Sequence, residues 1–140
     1  MSTVYLPPAL RQLVYERAGG RCEYCLMPES VAFASHEIDH IISQKHGGPT
    51  EAANLALSCL LCNKRKGSDI ASIDPATNEI LPLYNPRRDR WHDHFALSGA
   101  HLTALTATGR ATIQLLQLNH ANRLKERELL ITAGALVLPK

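Results

Sequence analysis

Four cysteines give the first chemical signal. They fall as Cys22 and Cys25, then, after 33 intervening residues, as Cys59 and Cys62. Two-residue spacing lets both thiolates of a tight turn point at one ion, and two such turns complete a tetrahedral zinc site. Disulfides or a C-x2-C redox pair are the competing uses of these thiols. The chain opens MSTVYLPPALRQ, without the basic start and long apolar run of a secretory signal. A reducing, cytoplasmic setting is therefore expected, and structural zinc is the favoured reading. A redox pair would also leave the second, matched pair unexplained.

The segment between the cysteine pairs holds a second set of reactive types: Asp39 beside His40, then Gly47-Gly48, then Asn54. An imidazole titrating near neutrality is suited to take a proton from water. A divalent ion held by carboxylate and amide oxygens can act as a Lewis acid and clamp a leaving oxygen. Together these meet the needs of phosphodiester hydrolysis. The elements Asp39-His40-Ile41, Gly47-Gly48, Asn54-Leu55 and Cys59-x-x-Cys62-Asn63-x-x-Lys66-Gly67 resemble, in order, the HNH endonuclease family in its four-cysteine, zinc-bearing form. The resemblance is dense over residues 20–70. A later run, from Ile73-Asp74-Pro75 through Tyr84-Asn85-Pro86 to Arg87-Arg88-Asp89-Arg90-Trp91, looks like the tail of a bacterial subgroup of that family.

The resemblance implies roles. His40 is the general base, Asp39 a ligand of the catalytic ion, and Asn54 the residue that holds the loop and orients the histidine. Asn63 stands where many members carry a metal-binding histidine, which makes this an HNN variant. A neutral amide oxygen is a harder donor than imidazole, so Mg²⁺ or Mn²⁺ is the expected catalytic ion. Simpler uses exist: Asp39 capping a turn, Asn63 capping a helix. His46 and the run Lys64, Arg65 and Lys66 are expected to contact nucleic acid, and His36 is a weaker candidate to line the site.

These residues need elements to hold them. Leu6 to Ala18 reads as a helix started by prolines and stopped by Gly19-Gly20, with Leu10, Leu13 and Val14 on one face. Val31 to Ile42 is predicted as a strand broken near Asp39-His40, Asn54 to Ser58 as a second strand, and the run from Cys59 as a short helix ending at Gly67. Adjacent strand residues point to opposite sides, so Asp39 and His40 can share one site only if the backbone bends after Asp39. Residues 71–85 suggest a hairpin around Thr77-Asn78, and 110–118 and 120–131 two helices, the second with its mixed charges outside. The clamp Arg87-Arg88-Asp89-Arg90-Trp91 reads as structural, with arginines paired to Asp89 and Asp93 and Trp91 in the core. The expected class is α+β: a small ββα-metal core with a structural zinc knuckle pair, flanked by N-terminal and C-terminal helices. One nuclease domain over residues 1–140 is expected, with its core at about 20–70 and an extension at about 71–140.

Charge excludes little. Fifteen Lys and Arg face 13 Asp and Glu, a formal +2 that four thiolates and a zinc ion would cancel. Affinity for a polyanion must come from local patches. No apolar stretch approaches a membrane span. The expectation is a metal-dependent DNA endonuclease, monomer or homodimer, with RNA as an alternative substrate. A non-catalytic zinc module binding nucleic acid or protein, or an RNA-directed toxin, are the alternatives.

Overall fold

In the computed structural model, residues 5–140 are described. They divide into two compact units, the boundary falling between Asp69 and Ile70. Helices and small antiparallel hairpins alternate along the chain, an α+β arrangement. None of the described helices is long and apolar enough to cross a membrane.

The first unit begins with helix α1, Pro8–Ala18. Its prolines suit a first turn whose N–H groups have no intrahelical acceptor. Gly19 ends it at φ 64°, a left-handed position that glycine takes without a Cβ penalty. Val14 and Ala18 are buried against Leu55 and Leu57, with Leu10 partly buried beside them. The packed stripe therefore runs 10, 14, 18 at i, i+4 spacing. Leu13, predicted on that face, lies a quarter-turn away and is exposed.

Strand β1 is Glu37–His40, shorter than the strand predicted from Val31. Residues 29–31 form a 3₁₀ turn instead. The Glu29 carboxylate accepts from the His36 N–H and the Tyr15 hydroxyl, which pins this stretch as a loop. Strand β2, Leu55–Ser58, pairs antiparallel with β1 in the register Glu37 with Ser58 through His40 with Leu55. Asn54, predicted to start this strand, closes a 3₁₀ turn before it. Helix α2, Leu60–Lys66, follows at once and stops at Gly67. Arg17 of α1 donates to the carbonyls of Ala52 and Leu55, fastening α1 to the start of β2.

The second unit has its own core. Strands β3 (Ala71–Ile73) and β4 (Ile80–Pro82) form the predicted hairpin, turning through Asn78 at φ 63°. Helix α3 (Trp91–His94) and the hairpin β5 (Phe95–Ser98) and β6 (His101–Ala104) were not predicted. Helices α4 (Ala107–Leu116) and α5 (Ala121–Thr132) were. Asp74 is fully buried and takes both arms of Arg110 at 2.8 Å, plus the Ala76 N–H and the Thr77 hydroxyl. This bidentate pair joins the β3–β4 turn to α4. Trp91 is buried on Phe95, as predicted. The Asp89 carboxylate closes its own turn by accepting from the Asn85 N–H, where pairing with arginine was expected. The tail motif thus reads as turn and core chemistry. One correction concerns α5: Arg123 and Arg127 are buried, not outward. They donate to the carbonyls of Leu116, and of Ala100 and Leu118.

Candidate functional site

The first unit brings the four cysteines together. All four are buried, and their sulfurs lie within 4.8 Å of one another. Cys25 and Cys59 sulfurs are 3.6 Å apart. Four thiolates about 2.3 Å from a zinc ion would sit about 3.8 Å from each other, so this cluster has the size of a tetrahedral site. The thiols are free, not disulfide-bonded. Burial pushes the Cys22 thiol well above its ordinary range, and a bound cation is what reverses that preference toward thiolate. The donor set fits a structural metal such as zinc. The knuckle turns are supported locally: Cys25 N–H points at the Cys22 sulfur, and Cys62 N–H at the Cys59 sulfur. Cys59 therefore caps α2 as well as contributing to the cluster. Asn63 lies inside the helix, so its alternative use as a cap is excluded.

Asp39 and His40 follow each other on β1, and the strand continues through both. The bend expected after Asp39 falls one residue later, with bends at Ile41 and Ile42, and both side chains lie within reach of the Lys66 charge. Asp39 turns toward α2. Its Oδ2 lies 3.1 Å from Lys66 Nζ and 3.4 Å from the Tyr24 hydroxyl. Burial lifts the Asp39 carboxyl above its usual range, against the pull of the Lys66 ammonium. Burial also holds Tyr24 well above the usual phenol range, so it remains a donor to Asp39. Asp39 Oδ1 has no hydrogen-bond partner among the described residues.

Lys66 corrects an expectation. It was placed with Lys64 and Arg65 as a phosphate contact, yet it is 2% exposed. Its Nζ serves Asp39 and the carbonyls of His40 and Ile41, binding the end of β1 to α2. Lys64 and Arg65 do lie exposed on α2, and His46 is exposed in the loop after β1. His36 is buried, with Nε2 on the Met27 carbonyl at 2.7 Å, and serves the first knuckle.

His40 turns toward the loop between β1 and β2. Its Nε2 meets Thr50 Oγ1 at 2.9 Å, while Nδ1 has no hydrogen-bond partner among the described residues. Burial and the nearby Lys66 charge hold this imidazole below its ordinary range. Thr50 was not singled out from the sequence; a threonine after Gly-Gly-Pro carries no distinctive signal.

Asn54 does not touch His40 directly. Its Oδ1 accepts from the Ile42 N–H at 2.9 Å, and its Nδ2 donates to the carbonyls of Ile42 at 2.9 Å and Pro49 at 2.8 Å. One buried amide thus straps the two ends of the loop and holds Pro49, the neighbour of Thr50. The strap leaves no room at Gly48. A Cβ there would lie 1.7 Å from the Ile42 carbonyl oxygen and 2.9 Å from Asn54 Nδ2. We expect Gly48→Ala to destabilise the first unit by about 1–3 kcal/mol, because backbone must move to admit the methyl. Thermal melting of the zinc-loaded protein measures this; an unchanged midpoint would show that the loop is not so closed.

The geometry has a consistent chemical sense. The end of β1 presents the Asp39 carboxylate beside α2, whose Asn63 Oδ1 has no hydrogen-bond partner among the described residues, and the His40 imidazole anchored at one nitrogen. Residues 22–69 match the family model described as HNH endonuclease. Comparison with curated proteins gives no match, and comparison with solved structures gives none.

Proposed function

We propose, from the match of residues 22–69 to the HNH endonuclease model and from the four-cysteine cluster there, that the chain is a metal-dependent endonuclease hydrolysing phosphodiester bonds of DNA. The observation that carries the reading is the setting of His40. In the tautomer whose Nε2–H donates to Thr50, the lone pair rests on Nδ1, the nitrogen that has no hydrogen-bond partner among the described residues. Its basicity is held below the ordinary range, so the ring is neutral at physiological pH and ready to accept a proton. His40 Nδ1 takes the proton of the attacking water. Asn54 keeps the loop, and therefore Thr50, in place.

Asp39 Oδ1 and Asn63 Oδ1 are hard oxygens with no hydrogen-bond partner among the described residues, a donor set that suits Mg²⁺ or Mn²⁺. Asp39 and Asn63 would hold such an ion, which would supply neutralisation of phosphate charge and Lewis-acid assistance to the departing 3′ oxygen. Lys64, Arg65 and His46 are assigned to the flanking phosphates, where contacts position a duplex without reading it. The whole chain acts as one nuclease, with residues 71–140 as its extension.

Supercoiled-plasmid cleavage with Mg²⁺, Mn²⁺ or EDTA tests the proposal, with single-stranded RNA assayed in parallel. Metal-dependent nicking is expected. A folded, zinc-loaded protein that binds DNA but yields no product under any divalent ion would point to a non-catalytic module, and cleavage of RNA alone would change the substrate. Thr50→Val is expected to lower the cleavage rate about fivefold, the worth of one orienting hydrogen bond of about 1 kcal/mol. Thr50→Ser should restore most of it. Equal rates in wild type and Thr50→Val would remove Thr50 from the mechanism.

A further inference from the structure

Strand β1 and helix α2 face each other through two side-chain rungs. Glu37 and Asp39 are two apart on the strand and so share a face. Asn63 and Lys66 are three apart on the helix and share a face there. Asn63 Nδ2 donates to Glu37 Oε2 at 2.8 Å, and Lys66 Nζ pairs with Asp39 Oδ2 at 3.1 Å.

The first rung fixes an orientation. A carboxylate only accepts, so the amide atom it meets must be the NH₂ group. Asn63 Oδ1 is thereby turned away from Glu37. The second rung fixes a charge. Lys66 neutralises Asp39, so that pair alone offers a divalent cation no net attraction. The negative charge remaining among these four residues belongs to Glu37.

We propose that Glu37 is the positioning residue of the divalent-ion site: its carboxylate orients Asn63 Oδ1 toward the ion and gives the site its net negative charge. The inference rests on the reading of Asp39 and Asn63 as ligands. Outer partners that fix a ligand's orientation typically account for about 10- to 100-fold in metal affinity.

The test is Mn²⁺ binding to the zinc-loaded full chain, read by electron paramagnetic resonance of the free ion. Wild type, Asp39→Asn, Glu37→Gln, Glu37→Ala and Glu37→Ala combined with Asn63→Asp are compared. Zinc content and melting temperature are measured on each. Glu37→Ala should weaken Mn²⁺ binding by about 10- to 100-fold. Glu37→Gln keeps an acceptor oxygen but no charge, and should fall between wild type and alanine. In the double variant, the carboxylate that replaces the Asn63 amide offers an oxygen whichever way it turns and restores the charge, so binding should return to within several-fold of wild type. A merely structural role for Glu37 would give no such return. Loss of binding in Asp39→Asn with wild-type affinity in Glu37→Ala would overturn the role of Glu37 alone. Should Glu37→Ala not fold, wild-type affinity in Glu37→Gln would overturn the charge argument. No Mn²⁺ bound by the wild type would overturn the ligand reading, and this inference with it.

Discussion

His40→Ala is expected to lower DNA cleavage by about 10²- to 10⁴-fold, the usual contribution of a positioned general base. The side chain can be removed without unravelling its surroundings. His40 makes one side-chain hydrogen bond among the described residues, to Thr50, while the end of β1 is held through its backbone by Lys66 and Leu55. Zinc content and melting temperature should therefore stay near wild type. The wild-type rate also carries a pH signature. Burial and the Lys66 charge favour the neutral ring, so activity is expected at neutral pH. It should fall as pH drops through a value below the ordinary imidazole pKa of about 6.5. A plasmid-nicking series at fixed Mg²⁺ measures both. Undiminished cleavage by folded His40→Ala would sink the mechanism; an acidic limb well above about 6.5 would contradict the setting described for His40.

The parts of the site legible in the sequence are those whose cause is local. Cys59 to Gly67 could be read because the ligand spacing, the helical run and the stopping glycine lie within nine residues. Gly19 and the hairpin around Asn78 were legible for the same reason. Lys66 was misplaced because its burial depends on Asp39 and two carbonyls that belong to another element. Arg123 and Arg127 show the same effect. At i, i+4 on α5 they look like solvated charges, yet carbonyls at Ala100, Leu116 and Leu118 draw them in. Tertiary acceptors decide such cases, and spacing within the helix cannot reveal them.

Two further differences have other causes. Residues 31–36 have strand-like composition, but no partner strand is offered, and Glu29 captures the His36 N–H. Composition alone does not make a strand without a ladder. The β5–β6 hairpin did leave a trace, since Ser98-Gly99 punctuates two short apolar runs, with Gly99 at φ 58°. In the site itself, Asp39, His40, Asn54 and Asn63 were named from the sequence, whereas Glu37 and Thr50 were not. The residues missed act through another side chain, and residue type gives no sign of that.

Removing the cysteine-bound metal is the second change with a large expected effect, and magnitudes decide its outcome. Structural zinc contributes about 10–16 kcal/mol in small metal-dependent domains, while a whole domain is stable by about 5–15 kcal/mol. The first unit offers little to make up that loss, since its buried cluster centres on Val14, Ala18, Leu55 and Leu57. Chelation, or Cys22→Ser, should therefore unfold residues 5–69 and abolish cleavage. The second unit contains no cysteine and has its own buried aromatic cluster, so helicity from α4 and α5 should persist in circular dichroism. Cys59 permits a sharper comparison, because its sulfur also accepts from the Cys62 N–H at the start of α2. Cys59→Ser keeps an oxygen able to cap the helix but removes a thiolate. If metal ligation is the dominant role, Cys59→Ser will lose zinc and unfold the first unit as completely as Cys22→Ser. Retained zinc-free folding in Cys59→Ser would mean that the sulfur serves α2 and not a metal.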